Sequence, residues 1–147
     1  MTLVHRIRSE LEEARRARDD ARRDALSLVL NSLQGAEKEL QRPLSEQEEL
    51  QVMQRERKRR VEAAEAFREA GREEQAAAEE SELAVIQEFM PEELSEEELE
   101  EIVDDAIASL GATSVRDLGR VMADVMPQVS GRADGSVVSQ LVREKLA

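Results

Sequence analysis

Apolar residues recur at intervals of three and four along most of the chain, which is the spacing of one face of an α-helix. Before Pro43, two such stripes are visible: Leu3, Ile7, Leu11 and Ala14, and then Leu26, Val29, Leu30, Leu33 and Leu40. Proline lacks a backbone N–H and disfavours a helix interior, so Pro43 prevents the second stripe from continuing as a helix. The pattern predicts two helices in this region.

A longer helix is predicted to follow Pro43. Ser45 and Glu48 have the spacing of a capping box, in which each side chain binds a backbone N–H of the other residue. The helix is predicted over about 45–70, a length of roughly 39 Å at 1.5 Å per residue, with an inner face of Leu50, Met53, Val61, Ala64 and Phe67. Gly71 is a typical end signal. A fourth helix is predicted over about 72–90, burying Leu83, Ile86 and either Phe89 or Met90.

Pro91 marks the predicted boundary between two domains, 1–90 and 91–147. Proline disfavours helical geometry at the residue before it, which is Met90. A second capping box, Ser95 with Glu98, then begins a regular stripe that Gly111 ends: Leu99, Ile102, Val103, Ala106, Ile107 and Leu110.

Two further short helices are predicted after Gly111. Ser114 and Asp117 cap a helix over about 115–126, and Asp134 caps the last helix. Their predicted inner faces are Val115, Leu118, Met122 and Val125, and Val137, Val138, Leu141, Val142 and Leu146. We therefore predict an all-α chain with a long-helix N-terminal bundle and a small three-helix C-terminal domain.

Composition excludes several kinds of chemistry. The chain has no cysteine and one histidine, His5, so thiolate catalysis, catalytic triads and multi-histidine metal sites lack their residues. We predict no catalytic residue, metal, cofactor or small-molecule substrate. Apolar runs are too short to span a membrane, and the N-terminus lacks the apolar core of a signal peptide, so a cytoplasmic location is expected.

The net charge of −13 is concentrated in residues 73–105, which contain fifteen acidic and no basic side chains. This block is interpreted as a solvated face, or alternatively as the contact surface for a basic protein partner. A basic cluster, residues 55–60, lies on the third predicted helix. It is either a solvated helix surface or a patch that contacts phosphates.

A Gly-Arg-Ala-Asp-Gly turn, residues 131–135, separates the last two predicted helices. It lacks the spacing of a nucleotide-binding P-loop, and its local chemistry favours a structural turn over a phosphate-binding helix start. The surrounding segment, 118–138, resembles the GatB/YqeY family, and the motif residues are Gly119, Met122, Met126, Ala133 and Asp134. Residues 44–48 and 89–99 also agree with that family.

The resemblance implies an all-helical fold with two unlike subdomains. In the tRNA-dependent amidotransferase of this family, the B-subunit tail helps to hold tRNA, while glutamine-dependent carbon–nitrogen ligation occurs elsewhere. The resemblance thus implies a tRNA-binding accessory role without a complete active site, through Arg120, Arg132 and Arg143 beside Gly131 and Gly135. The resemblance also implies lysines at two positions near the turn, where this chain has Gln128 and Ser130 instead. The alternative is a helical protein-interaction module that does not bind RNA.

Overall fold

A computed structural model describes residues 2–147. Within this range the chain forms seven α-helices and no strand, which confirms the all-α prediction. The helices are α1 (Leu3–Arg16), α2 (Asp20–Leu40), α3 (Glu46–Glu69), α4 (Glu73–Gln87), α5 (Glu96–Leu110), α6 (Leu118–Val129) and α7 (Gly135–Leu146), and a 3₁₀ turn (Val115–Asp117) precedes α6. The chain divides into two compact units: unit 1, residues 1–90, and unit 2, residues 91–147.

Helix starts follow the capping residues that the sequence predicts. At α3, the Glu48 backbone N–H donates to Ser45 Oγ at 3.2 Å, and the Ser45 N–H donates to Glu48 Oε1 at 2.9 Å. The same reciprocal pair, Ser95 with Glu98, begins α5 at distances of 3.1 and 3.3 Å. Each box satisfies two backbone donors that a helix start would otherwise leave unpaired.

Four helices end with a residue in the left-handed conformation. Gly71 and Gly111 occupy this position after α3 and α5, and Arg18 and Gln41 occupy it after α1 and α2, both with φ of 57°. After α1, the Asp19 N–H donates to the Ala14 carbonyl and the Arg18 N–H to the Arg15 carbonyl, which is the Schellman pattern. The end signals predicted at Gly71 and Gly111 are therefore confirmed.

The core of unit 1 lies between α1, α2, α4 and the first half of α3. The predicted stripes of α1 and α2 are buried there with Met53, Ile86 and Phe89. The prediction that Leu40 faces inward is wrong: it is exposed, because it is the last residue of α2. Leu83 is only partly buried.

The predicted inner face of α3 is correct in part: Met53 and Ala64 are buried as expected. Val61 is exposed, and Leu50 and Phe67 are only partly buried. The buried side chains of α3 include four that the apolar pattern does not select: Glu49, Val52, Glu56 and Arg57. Glu49 lies against the first turn of α1, where it accepts hydrogen bonds from backbone N–H groups. Buried polar residues therefore extend the buried face of α3 beyond its apolar residues.

Unit 2 has its own core between α5, α6 and α7. It contains Leu99, Val103, Ala106, Val121, Val125, Val129, Val138, Val142 and Leu146. Two valines with predicted inward positions, Val115 and Val137, are instead exposed by 48% and 53%. Helix α6 also continues past its predicted end at Met126 to Val129, with the exposed Pro127 inside it.

No helix among residues 2–147 combines the length and the apolarity that crossing a membrane requires.

Candidate functional site

The turn between α6 and α7 is built from local hydrogen bonds. Gly131 has a φ of 75°, and the Arg132 N–H that follows it donates to the Val129 carbonyl at 2.8 Å. Asp134 caps α7, because its Oδ1 accepts hydrogen bonds from the backbone N–H and the hydroxyl of Ser136, each at 3.0 Å. The left-handed backbone explains the glycine at 131, since a side chain would be strained there.

Arg132 ties the turn to the start of unit 2. Its carbonyl accepts the Leu94 N–H at 2.9 Å, and its Nε donates to the Glu92 carbonyl at 3.0 Å. Within residues 2–147, its terminal Nη nitrogens make no hydrogen bond or ion pair. The Nε of Arg132 therefore helps to hold the turn in place, and its two terminal nitrogens are available to bind another group.

Arg120 and Arg143 lie on the two helices that flank the turn. The Arg120 side chain is 56% exposed on α6, and its Nη2 lies 3.0 Å from Asp117 Oδ1. Hydrogen bonds from the backbone N–H of Thr113 and from Arg120 lower the pKa of Asp117, so this carboxylate stays charged. Arg143 is exposed on α7 and forms no ion pair within the described part of the chain. The three predicted arginines thus belong to one unit, and one of them is partly neutralised.

A phosphate cannot bind the start of α7 as it could bind a helix start without a capping carboxylate. The Asp134 carboxylate already occupies it and places a negative charge there. The two positions at which the family resemblance predicts lysines hold neutral residues that are bonded locally: Gln128 Nε2 donates to the Asp124 carbonyl, and Ser130 Oγ donates to the Met126 carbonyl. Cationic contacts near the turn can therefore come only from the arginines.

The remaining motif residues divide into packing and surface positions. Met122, Met126 and Ala133 are partly buried against the core of unit 2. A Cβ added to Gly135 would lie 3.6 Å from Met126 Cε, which is ordinary van der Waals contact. Gly119 lies on the exposed side of α6, with nothing within 4 Å of the position that a Cβ would take. Packing within unit 2 thus accounts for the methionines and the alanine, but not for Gly119.

The basic cluster of residues 55–60 is largely engaged within unit 1. Arg57 is buried. Arg60 Nη2 lies 3.2 Å from Glu56 Oε2, and its Nη1 lies 3.2 Å from Glu79 Oε2 and 3.4 Å from Glu82 Oε2. Arg59 also pairs with Glu56. These ion pairs favour a structural role for the cluster over phosphate contact.

The acidic block behaves differently in the two units. In unit 1 its carboxylates pair with arginines: Glu79 and Glu82 with Arg60, Glu73 and Glu80 with Arg68, and Glu88 with Arg22. In unit 2, helix α5 carries seven acidic residues, and within residues 2–147 only Asp104 pairs with a cation, Lys145 Nζ at 2.9 Å. No described group of three or more His, Cys, Asp or Glu residues is arranged to hold a metal ion, and His5 is exposed.

A shallow groove lies between α5 and α7. It has a volume of about 230 Å³ and is lined by Glu96, Leu99, Glu100, Val137, Gln140, Leu141 and Glu144; we call it the α5–α7 groove. The sequence pattern misses this feature because it assigns Val137 and Leu141 to the core. Their spacing of four residues, together with the seven acidic side chains of α5, is the signal that could have revealed it.

The fold and the turn define an all-α protein of two helical units with arginines around a glycine-containing corner. Residues 4–146 match the family described as Yqey-like protein, and because the match covers nearly the whole chain, the chain belongs to that family.

A similarity to a larger protein gives a second, partial relationship. Over 57 residues the chain is 40% identical to a subunit of the glutamyl-tRNA(Gln) amidotransferase of Thermococcus gammatolerans. The match covers 36% of this chain and 9% of that larger protein. The chain therefore contains an amidotransferase-related domain and spans only a small part of the relative's length.

Proposed function

We propose that unit 2 is a tRNA-binding accessory module that works beside an amidotransferase-type enzyme. The single observation that carries the proposal is the presence of exposed Arg120 and Arg143 on the helices flanking the family's glycine turn, in a chain of the Yqey-like family. The relative's name, which refers to glutamyl-tRNA(Gln), supports the choice of nucleic acid. Carbon–nitrogen ligation then belongs to the partner enzyme, and the location is cytoplasmic.

The arginines suit contacts to the RNA backbone. Guanidinium groups bind phosphate and release counterions, and structured RNA is recognised mainly by its shape and backbone. The ion pair between Arg120 and Asp117 is a small obstacle, since exposed pairs contribute only about 0–1 kcal/mol. Arg120 can therefore exchange Asp117 for a phosphate.

Gly119 fits the same surface. Gly119 is the second residue of α6, and no neighbour within unit 2 requires a glycine there. Its missing side chain leaves the α6 backbone open beside Arg120. Close approach of a sugar–phosphate backbone would use that space.

The proposal is tested by titrating fluorescently labelled bulk tRNA at about 50 and 200 mM salt. Arg120→Ala and Arg143→Ala should each weaken binding three- to tenfold and lower the salt slope by about 1. Arg8→Ala, which removes an exposed arginine of α1 that forms no ion pair within residues 2–147, is the matched control. Binding that is absent at low salt, or indifferent to salt, would contradict the proposal.

Arg132→Ala needs a separate readout, because it also removes the hydrogen bond to the Glu92 carbonyl. Arg132→Lys keeps the charge but cannot reproduce the guanidinium geometry. If Arg132 acts through phosphate contact, lysine should restore most of the tRNA affinity even though its melting temperature stays as low as that of the alanine variant. A loss that follows the melting temperature in both variants would assign Arg132 to the structure of the turn.

A protein-interaction module is the second candidate function. The observation that favours it is the set of exposed, unpaired carboxylates on α5, which lies within the predicted contact segment 73–105. Co-sedimentation with a purified basic protein that survives nuclease treatment would support this function. Loss of the complex on nuclease treatment would favour the RNA-binding proposal instead.

A further inference from the structure

The α5–α7 groove exposes apolar surface that unit 2 does not cover. Val137 is 53% exposed, which makes it the most exposed of the large hydrophobic residues within residues 2–147. It lies one helical turn before Leu141, which is partly buried, and the core residue Leu99 of α5 lines the other side. Exposed apolar groups in a concave site between helices are typical of a surface that binds another chain.

Carboxylates surround this apolar floor. Glu96 and Glu100 line the groove from α5, and Glu144 lines it from α7. Glu144 accepts a hydrogen bond from Gln140 Nε2 at 3.3 Å, and none of the three forms an ion pair within the described chain. Lys145, which follows Glu144 on α7, is already paired with Asp104 at 2.9 Å. The carboxylates of the groove therefore have no paired cation, and its exposed apolar side chains are not covered by other residues.

We propose that the α5–α7 groove binds a cationic amphipathic helix of another protein. The apolar face of such a helix would cover Val137 and Leu141, while its lysines or arginines would reach Glu96, Glu100 and Glu144. Helix-in-groove binding of this kind uses apolar anchors spaced three and four residues apart. Helix α5 is about 22 Å long, so about four turns of a partner helix fit beside it.

Two other occupants are disfavoured by charge. Phosphates of RNA would be repelled by three unpaired carboxylates and would gain little from the apolar floor. A second copy that paired this face with itself in a two-fold dimer would bring the same carboxylates together, since such an interface is self-complementary. A cationic partner relieves the repulsion that both of these would increase.

The test is a titration of the full chain with a fluorescein-labelled peptide of about fourteen residues. Its leucines form one helical face and its lysines the other. We expect saturable binding, and the same peptide with glutamate in place of lysine should not bind. Val137→Glu should weaken binding at least tenfold. Val115→Glu, at a valine of unit 2 that is 48% exposed and lies outside the groove, is the matched control and should change the affinity less than twofold.

Charge reversals separate the groove from the general acidity of α5. Glu100→Lys combined with Glu144→Lys should weaken peptide binding at least tenfold. Glu101→Lys combined with Asp105→Lys makes the same change in net charge at exposed α5 positions outside the groove. The second pair should weaken binding no more than threefold, and circular dichroism melting confirms that each variant is folded.

Four outcomes would overturn the proposal. These are equal losses in the groove and control variants, absence of saturable binding, displacement of the peptide by tRNA with the same dependence on Val137, and self-association in sedimentation that Val137→Glu abolishes. The inference is independent of the tRNA proposal, since Arg120→Ala should leave peptide affinity unchanged and Val137→Glu should leave tRNA affinity unchanged.

Discussion

At the scale of single residues, the ends of α1 and α2 show side chains in a conformation that suits glycine better. Arg18 and Gln41 each have a φ of 57°, whereas the equivalent residues after α3 and α5 are Gly71 and Gly111. A left-handed backbone costs a residue with a Cβ roughly 1–2 kcal/mol. The hydrogen bonds of the Schellman ends are strong enough to hold these two residues there.

Arg18→Gly should therefore raise the free energy of unfolding by about 1 kcal/mol. Arg8→Gly makes the same change inside α1 and should lower it by about 1 kcal/mol, since glycine is a poor helix former. Urea denaturation followed by circular dichroism measures both. If both substitutions changed the free energy of unfolding in the same direction, Arg18 would not be strained.

Burial disfavours the charged form of Glu82. Its Oε2 has no hydrogen-bond partner within residues 2–147, although it lies 3.4 Å from Arg60 Nη1. Burial, together with the nearby Glu79, raises the pKa of Glu82 above its ordinary value of 4.5. A raised folded-state pKa means that the stabilising contribution of Glu82 is complete below about pH 4.5. It is lost as the pH rises through the folded-state pKa.

Glu82→Gln should accordingly raise stability at pH 7 by roughly 1 kcal/mol and make little difference at pH 4. Glu80 is the opposite case, because its hydrogen bond and ion pair with Arg68 lower its pKa. Its contribution is present above the ordinary glutamate pKa and lost as the pH falls. Glu80→Gln should therefore destabilise the chain at pH 7. Melting temperatures at the two pH values test both signs.

At the scale of elements, capping contributes a measurable part of helix stability. Ser45→Ala removes the hydroxyl that accepts the Glu48 N–H at the start of α3. Loss of such a cap costs about 1 kcal/mol. Thr2 and Asp19 cap α1 and α2 by single hydrogen bonds. Ser45→Thr, which keeps a hydroxyl, is the control and should cost less than half as much in a urea titration.

Residue spacing predicts elements best where polar and apolar residues separate cleanly. The stripes of α1 and α5, both capping boxes and the glycine ends can all be read from it. Helix α3 can be read only in part, because Glu49 and Glu56 are buried with hydrogen-bond partners far away in the sequence, on α1 and α2. The predicted burial of Val137 is wrong for a related reason: apolar spacing does not reveal which apolar residues a short helix leaves uncovered.

The candidate site is predictable to a smaller extent. The glycine at 131, the cap at Asp134 and the surface position of Arg120 follow from local sequence. The bonds from Arg132 to Glu92 and Leu94 join residues about forty positions apart, so spacing cannot predict them. The ion pair between Asp117 and Arg120 could be predicted, since the two residues are three positions apart, on one helical turn.

At the scale of the whole molecule, each unit has its own hydrophobic core. We propose that each core unfolds as its own cooperative transition, since a compact unit with a separate core can fold as a domain. Differential scanning calorimetry should then show that Ser45→Ala lowers one melting temperature and Ser95→Ala the other. If each substitution shifted a single common transition, the units would not be separate folding domains.

The buried carboxylate of Glu56 helps to fix how α3 is aligned with α4. It pairs with Arg60 one turn along α3, and Arg60 Nη1 in turn lies 3.2 Å from Glu79 Oε2 and 3.4 Å from Glu82 Oε2 of α4, whereas the α3–α4 hairpin also buries small residues such as Ala64 and Ala76. Alanine surfaces pack almost equally well after a slide of one helical turn, but Arg60 reaches Glu79 and Glu82 in one register only. Replacing Glu56 and Arg60 by leucines would therefore give a hairpin with several registers of similar energy, visible as broadened amide signals in NMR spectra even if it melts at a higher temperature.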